Sequence, residues 1–186
     1  RFPACSSAVT SAVYGEGPRR GDPAAPIGPQ VDDGTHPEVD LVTITNGTVQ
    51  EFDYGVQLNA GTARNIVSAL RVQNNDVAGV QLSDADEGGF GNTLRENTLV
   101  SNGSGIALID GTQGTLVRAN TIGASALEGI RLAGSSGNRI EENQIGASAL
   151  AGIALDGSSN NTIAGNQLTL NSGDAISILT ASNANR

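Results

Sequence analysis

Residues 120–132 read NTIGASALEGIRL and residues 143–155 read NQIGASALAGIAL, two nearly identical phrases 23 residues apart. Working outward from them, a glycine recurs at Gly55, Gly79, Gly105, Gly129 and Gly152, with Ala175 in the sixth copy, in steps of 24, 26, 24, 23 and 23. Each is followed by aliphatic residues two apart: Val56/Leu58, Val80/Leu82, Ile106/Leu108, Ile130/Leu132, Ile153/Leu155 and Ile176/Ile178. That spacing is what a strand with one buried face requires. Asn97, Asn120, Asn143 and Asn166 keep a step of 23, and Asn46 precedes Gly55 by the nine residues that separate Asn120 from Gly129. A period of this length marks a stack of equivalent coils.

Each copy holds three short aliphatic pieces, such as Ile140, Gln144/Ile145 and Ile153/Leu155, divided by breaks rich in Gly, Asn and Ser. Strands this short cannot sustain an isolated sheet, but coils stacked about 4.8 Å apart bury one continuous aliphatic interior. The expected fold is an all-β parallel β-helix of about six coils. A leucine-rich-repeat horseshoe needs a helical piece opposite each strand, which the Gly and Asn density disfavours. Inward amides left unpaired would each cost about 1–3 kcal/mol. Stacked asparagines pair with one another, so Asn97, Asn120, Asn143 and Asn166 are expected to form a turn ladder, and Asn143→Leu to lower thermal stability.

All six prolines, Cys5 and His36 lie before residue 38. Residues 1–39 are therefore expected to be an irregular segment or cap, and 40–186 the solenoid. Lysine, methionine and tryptophan are absent and the formal net charge is −9, which opposes binding to nucleic acid and to anionic membrane surfaces. No apolar run approaches the roughly 18 residues of a membrane span. One cysteine cannot form an internal disulfide, and a chain that starts at Arg1 and stops just after a coil fits a piece of a longer product.

The segments NRIEENQIGASALAGIAL (138–155), NTIAGNQLTLNSGDAISIL (161–179) and NGTVQEFDYGVQL (46–58) resemble the repeats of the pectate-lyase-like superfamily. The resemblance covers about residues 40–186. It implies a right-handed, single-stranded coil with three parallel sheets, a secreted, periplasmic or cell-surface location, and an association with polysaccharide. Some repeats look closest to that superfamily's copper-delivery members, the periplasmic maturation proteins of nitrous oxide reductase. Soft copper donors are confined to Cys5 and His36, which argues against a copper role. The Asp-Pro-His-Asp signature of the alginate epimerases does not occur.

In that superfamily the active groove follows one sheet, so the outward position of the Gly-Ile-x-Leu strand is the place to look for chemistry. It reads Gln57, Gln81, Ala107, Arg131, Ala154, Ser177. Tyr54, Gln57, Gln81, Glu128 and Asp174 are the candidate carbohydrate contacts. If the chain is catalytic, Asp110, Asp156 and Arg131 are the candidates. Two coils would set the aspartate backbones roughly 10 Å apart, at the upper edge for an inverting pair. The competing reading is a solvated rim with a Glu128–Arg131 ion pair.

The loop from Ser83 to Gly89 offers Asp84, Asp86 and Glu87 as oxygen ligands for Ca²⁺, against a plain solvated insertion. Arg71, Arg95 and Arg118 precede their turns by similar offsets and read either as a grip on uronate carboxylates or as an ion-pair column with Glu141. The chain thus reads as a polysaccharide-associated module of binding or structural type, with a polysaccharide lyase or glycoside hydrolase as the alternative. Open coil ends would allow oligomers or end-to-end stacking.

Overall fold

The computed structural model describes residues 14–16, 30–31, 39–84 and 91–186. Every strand pairing in it is parallel, and every partner lies one coil away. A seven-stranded sheet stacks Gln30–Val31, Tyr54–Leu58, Ala78–Ser83, Ser104–Ile109, Ile130–Ala133, Ile153–Asp156 and Ile176–Ile178. The remaining strands, such as Leu116–Arg118 and Thr121–Gly123, belong to one eleven-stranded sheet, apart from the short pair Val39–Asp40 and Thr62–Ala63. They join because the early strands Thr43–Gln50 and Ile66–Gln73 run unbroken past the corner that later interrupts them. No helix is present among the described residues. The three-stranded coil of about 23 residues is the solenoid that the repeat requires.

The interior is made of aliphatic columns. Leu58, Leu82, Leu108, Leu132 and Leu155 form one, and Val67, Leu94, Val117 and Ile140 another, all fully or almost fully buried. Each such side chain contributes about 1.5–3 kcal/mol, so stability accumulates coil by coil.

Corners are turned by residues in the left-handed region. Asn46, Ala69, Glu96, Ala119 and Glu142 form one column with φ between 52° and 58°, and Asn74, Ser101, Ala124 and Ala147 another between 53° and 56°. The residue after each left-handed position faces inward and usually carries an amide. The expected ladder is present: Asn97 and Asn120 each donate through Nδ2 to the next coil's Oδ1 at 3.0 Å, and Asn143 to Asn166 at 2.9 Å. Asn46 does not belong to it. Pairing sets Gly47 opposite Leu70, and Leu70 donates its N–H to Asn97, so Asn46 is one residue early and exposed.

Two further inward columns exist. One runs Asn65, Asn92, Thr115, Asn138, Asn161, Asn185, and the other Asn75, Asn102, Ser125, Ser148, Asn171. The recurrent glycines interlock with the latter. A Cβ on Gly55 would lie 2.9 Å from Asn75 Nδ2 and 2.5 Å from the Gly79 carbonyl oxygen, and one on Gly79 2.9 Å from Asn102 Nδ2. Glycine is required there by close approach of the next coil, not by its own φ.

Candidate functional site: a recessed sheet face

Side chains alternate across a strand, and on the seven-stranded sheet Ile106 and Leu108 point into the core. Ala107 between them faces outward, as do Gln81 between Val80 and Leu82 and Ala154 between Ile153 and Leu155. Yet these outward residues expose only 8% (Gln81), 6% (Ala107) and 7% (Ala154) of their surface. Along this column the outward side chains are therefore largely covered by their neighbours. Gln57 begins it, Gln81 and Ala107 follow in register, and Arg131 stands exposed between Ala107 and Ala154.

Polar columns border this one. On one side backbone hydrogen bonds align Tyr54, Ala78, Ser104, Glu128, Ala151 and Asp174. On the other, Ser83, Ile109, Ala133 and Asp156 are in register. Four candidate carbohydrate contacts thus flank or line one strip with Arg131: Gln57, Gln81, Glu128 and Asp174. Tyr54 heads the first bordering column. The Glu128–Arg131 ion pair does not form; Glu128 instead accepts a hydrogen bond from Ser104 Oγ at 3.3 Å.

Asp110 and Asp156 are not equivalent. Asp156 ends a strand, whereas Asp110 occupies the left-handed corner one position further on, with φ 52°, in the column Asp84, Asp110, Gly134, Gly157. Asp110 also accepts a hydrogen bond from Ser83 Oγ at 3.0 Å. Asp84 is the neighbour of Asp110 in that column, while Asp86 and Glu87 lie outside the described residues. No group of three or more potential metal-binding His, Cys, Asp or Glu side chains occurs among the described residues.

The arginine column is corrected. Arg95, Arg118 and Glu141 are in register on the eleven-stranded sheet, but Arg71 lies beyond the corner, opposite Thr98, and donates to Gln73 at 2.7 Å. The bonded pairs also differ from Arg118–Glu141. They are Arg95–Glu96, Arg118–Glu142 and Arg139–Glu141, each 2.8 Å. Glu142 reaches Arg118 because it is a corner residue one coil on; its hydrogen bonds and charge hold the guanidinium above its ordinary pKa. With their guanidinium groups exposed to solvent, these pairs contribute little to stability, and they leave that face without a free cationic grip. Arg131 is in no ion pair among the described residues.

Comparison with known proteins agrees with this architecture. The periplasmic alginate epimerase AlgG superposes with a TM-score of 0.61 at 18% identity, over 76% of this chain and 40% of that one. The A-module of the Azotobacter vinelandii mannuronan C-5 epimerase AlgE4 gives 0.55 at 18%, over 80% of this chain and 53% of that one. At such identities the likeness is one of fold, and the chain spans about half or less of either protein's length. No curated protein sequence matches. A family model described as "Periplasmic copper-binding protein (NosD)" matches residues 30–186, the span of the solenoid. The chain belongs to the NosD family.

Proposed function

We propose that this chain is an extracytoplasmic β-helix module that binds polysaccharide along the outer face of its seven-stranded sheet without cleaving it. The family description is of periplasmic proteins. The observation that carries the reading is the covered column itself: outward Gln81, Ala107 and Ala154 have little access to solvent, between columns bearing Ser104, Glu128, Asp156 and Asp174. A strip of small residues with hydrogen-bonding groups on either side suits an extended chain of hydroxyls. The neighbouring folds named above are described as epimerases of alginate and of mannuronan, which adds support by analogy alone.

Cleavage on the same face by Asp110, Asp156 and Arg131 is the second reading. The one-residue offset between the aspartates and the engagement of Asp110 by Ser83 favour the non-catalytic one.

Copper, which the family description names, does not fit the coils. Residues 39–186 contain no His, Cys or Met, so the solenoid offers only oxygen and amide donors. Cys5 and His36 are the chain's sole soft or imidazole donors, and both lie outside the described residues.

Ala107→Trp tests the location. An indole planted on that strip is expected to weaken polysaccharide retention at least about tenfold. Because Ala107 is only 6% exposed, the indole also crowds its neighbours and should lower the melting temperature by a few degrees, so retention is compared well below the variant's unfolding transition. Gln144→Trp, exposed on the other sheet, should leave retention unchanged. Equal retention by Ala107→Trp and wild type would refute this face as the site.

A further inference from the structure

We propose that Ser125 and Ser148 each hold one buried water molecule, which stands in for the amide their column lacks. Most amide rungs in the three columns, with Asn102 the example in the column of Ser125 and Ser148, follow one rule. The rung's Oδ1 accepts from the N–H of the column residue one coil earlier, and its Nδ2 donates to the carbonyl three residues before that one. Asn102 accepts from Asn75 N–H at 3.1 Å and donates to the Val72 carbonyl at 3.0 Å. Asn120 does so with Asn97 and Leu94, and Asn138 with Thr115 and Thr112.

Backbone hydrogen bonds put Ser125 in register with Asn102, and Ser148 with Ser125. The same rule therefore brings the N–H of Asn102 and the carbonyl of Leu99 to Ser125, and the N–H of Ser125 and the carbonyl of Ile122 to Ser148. A serine lacks two of the heavy atoms that an asparagine would place there. Both hydroxyls are buried, at 2% and 0% exposure, and neither Oγ has a hydrogen-bond partner.

Gly105 and Gly129 lie beside the two hydroxyls, where a Cβ would sit 3.3 Å and 3.1 Å from the respective Oγ atoms, and Ile122 and Ile145 border the same space, their Cγ2 atoms 2.4 Å and 2.3 Å from those Cβ positions. The volume released is about that of one water, and hydroxyl, N–H and carbonyl together supply the roughly three partners a buried water takes. Two consecutive rungs are then water-bridged within a column that is otherwise amide-bridged.

The sign of a double substitution separates this from a simple gap. If the hydroxyls anchor water, Ser125→Ala with Ser148→Ala strands those waters, and the melting temperature should fall by at least about 2 °C. If they are unpaired, removing two costly buried polar groups leaves it level or raises it. A crystal structure of the wild-type chain should show one ordered water within hydrogen-bond reach of each Oγ. Ser125→Asn with Ser148→Asn should displace both while the melting temperature holds or rises. A double-alanine variant at or above wild type, or empty density at both sites, would overturn the proposal.

Discussion

Asn143→Leu is expected to lower the melting temperature by roughly 8–16 °C, the equivalent of about 4 kcal/mol in a chain of this size. The amide is fully buried and makes four hydrogen bonds. Its Oδ1 accepts from the N–H and the Nδ2 of Asn120, both at 3.0 Å, and its Nδ2 donates to the Val117 carbonyl and to Asn166 Oδ1, both at 2.9 Å. Leucine leaves three of the four partners, the N–H and Nδ2 of Asn120 and the Val117 carbonyl, on buried residues, while Asn166 is only partly buried. Shape is not the obstacle, because Leu70 already occupies the equivalent position at the head of the same column. Gln144→Ala, exposed on the adjoining strand and outside the ladder, is the control and should change the midpoint by no more than about 1 °C. Thermal unfolding followed by circular dichroism decides it; a shift for Asn143→Leu no larger than that of the control would remove the ladder as a source of stability.

Gly129→Ala should cost on the order of 3 kcal/mol, or roughly 6–12 °C, although it adds a single methyl group. That methyl would lie 2.3 Å from Ile145 Cγ2 and 2.7 Å from the Gly152 carbonyl oxygen. One neighbour is a core side chain and the other is backbone of the next coil, so relief requires opening the coil spacing that every parallel hydrogen bond depends on. Gly134→Ala separates this from a generic intolerance of glycine loss. Nothing lies within 4 Å of its Cβ position and its φ is +63°, so only the left-handed penalty of about 1–2 kcal/mol applies. Equal effects at the two positions would contradict interlocking of successive coils.

These two residues also show how far the sequence could be read. The glycine and asparagine columns were visible because a solenoid repeats its geometry at a fixed step, and close approach and inward amides admit few alternatives. Two of the three amide columns were missed because serine or threonine interrupts them, at Thr115, Ser125 and Ser148, and because the longer coil stretches one step to 27 residues. The left-handed positions gave no uniform signal either: alanine, glutamate, asparagine and glycine all serve, because the stacked neighbours enforce the turn.

Asn46 and Arg71 were misplaced for one reason. An offset measured along the chain does not say on which side of a corner a residue falls, and one position moves a side chain from core to solvent. The covered column was legible only as a run of small neutral residues. Alanine carries no chemical signature, and its meaning came from exposures below 10% at outward positions.

The most direct test of the functional account is retention of the chain on a panel of neutral and acidic polysaccharides, with Ca²⁺ and with chelator, scored in parallel for new chain ends. The account predicts retention on at least one polymer with no new ends. Failure to bind any polymer, or the appearance of new reducing or unsaturated ends that a catalytically dead Asp110→Asn, Asp156→Asn variant no longer produces, would contradict it.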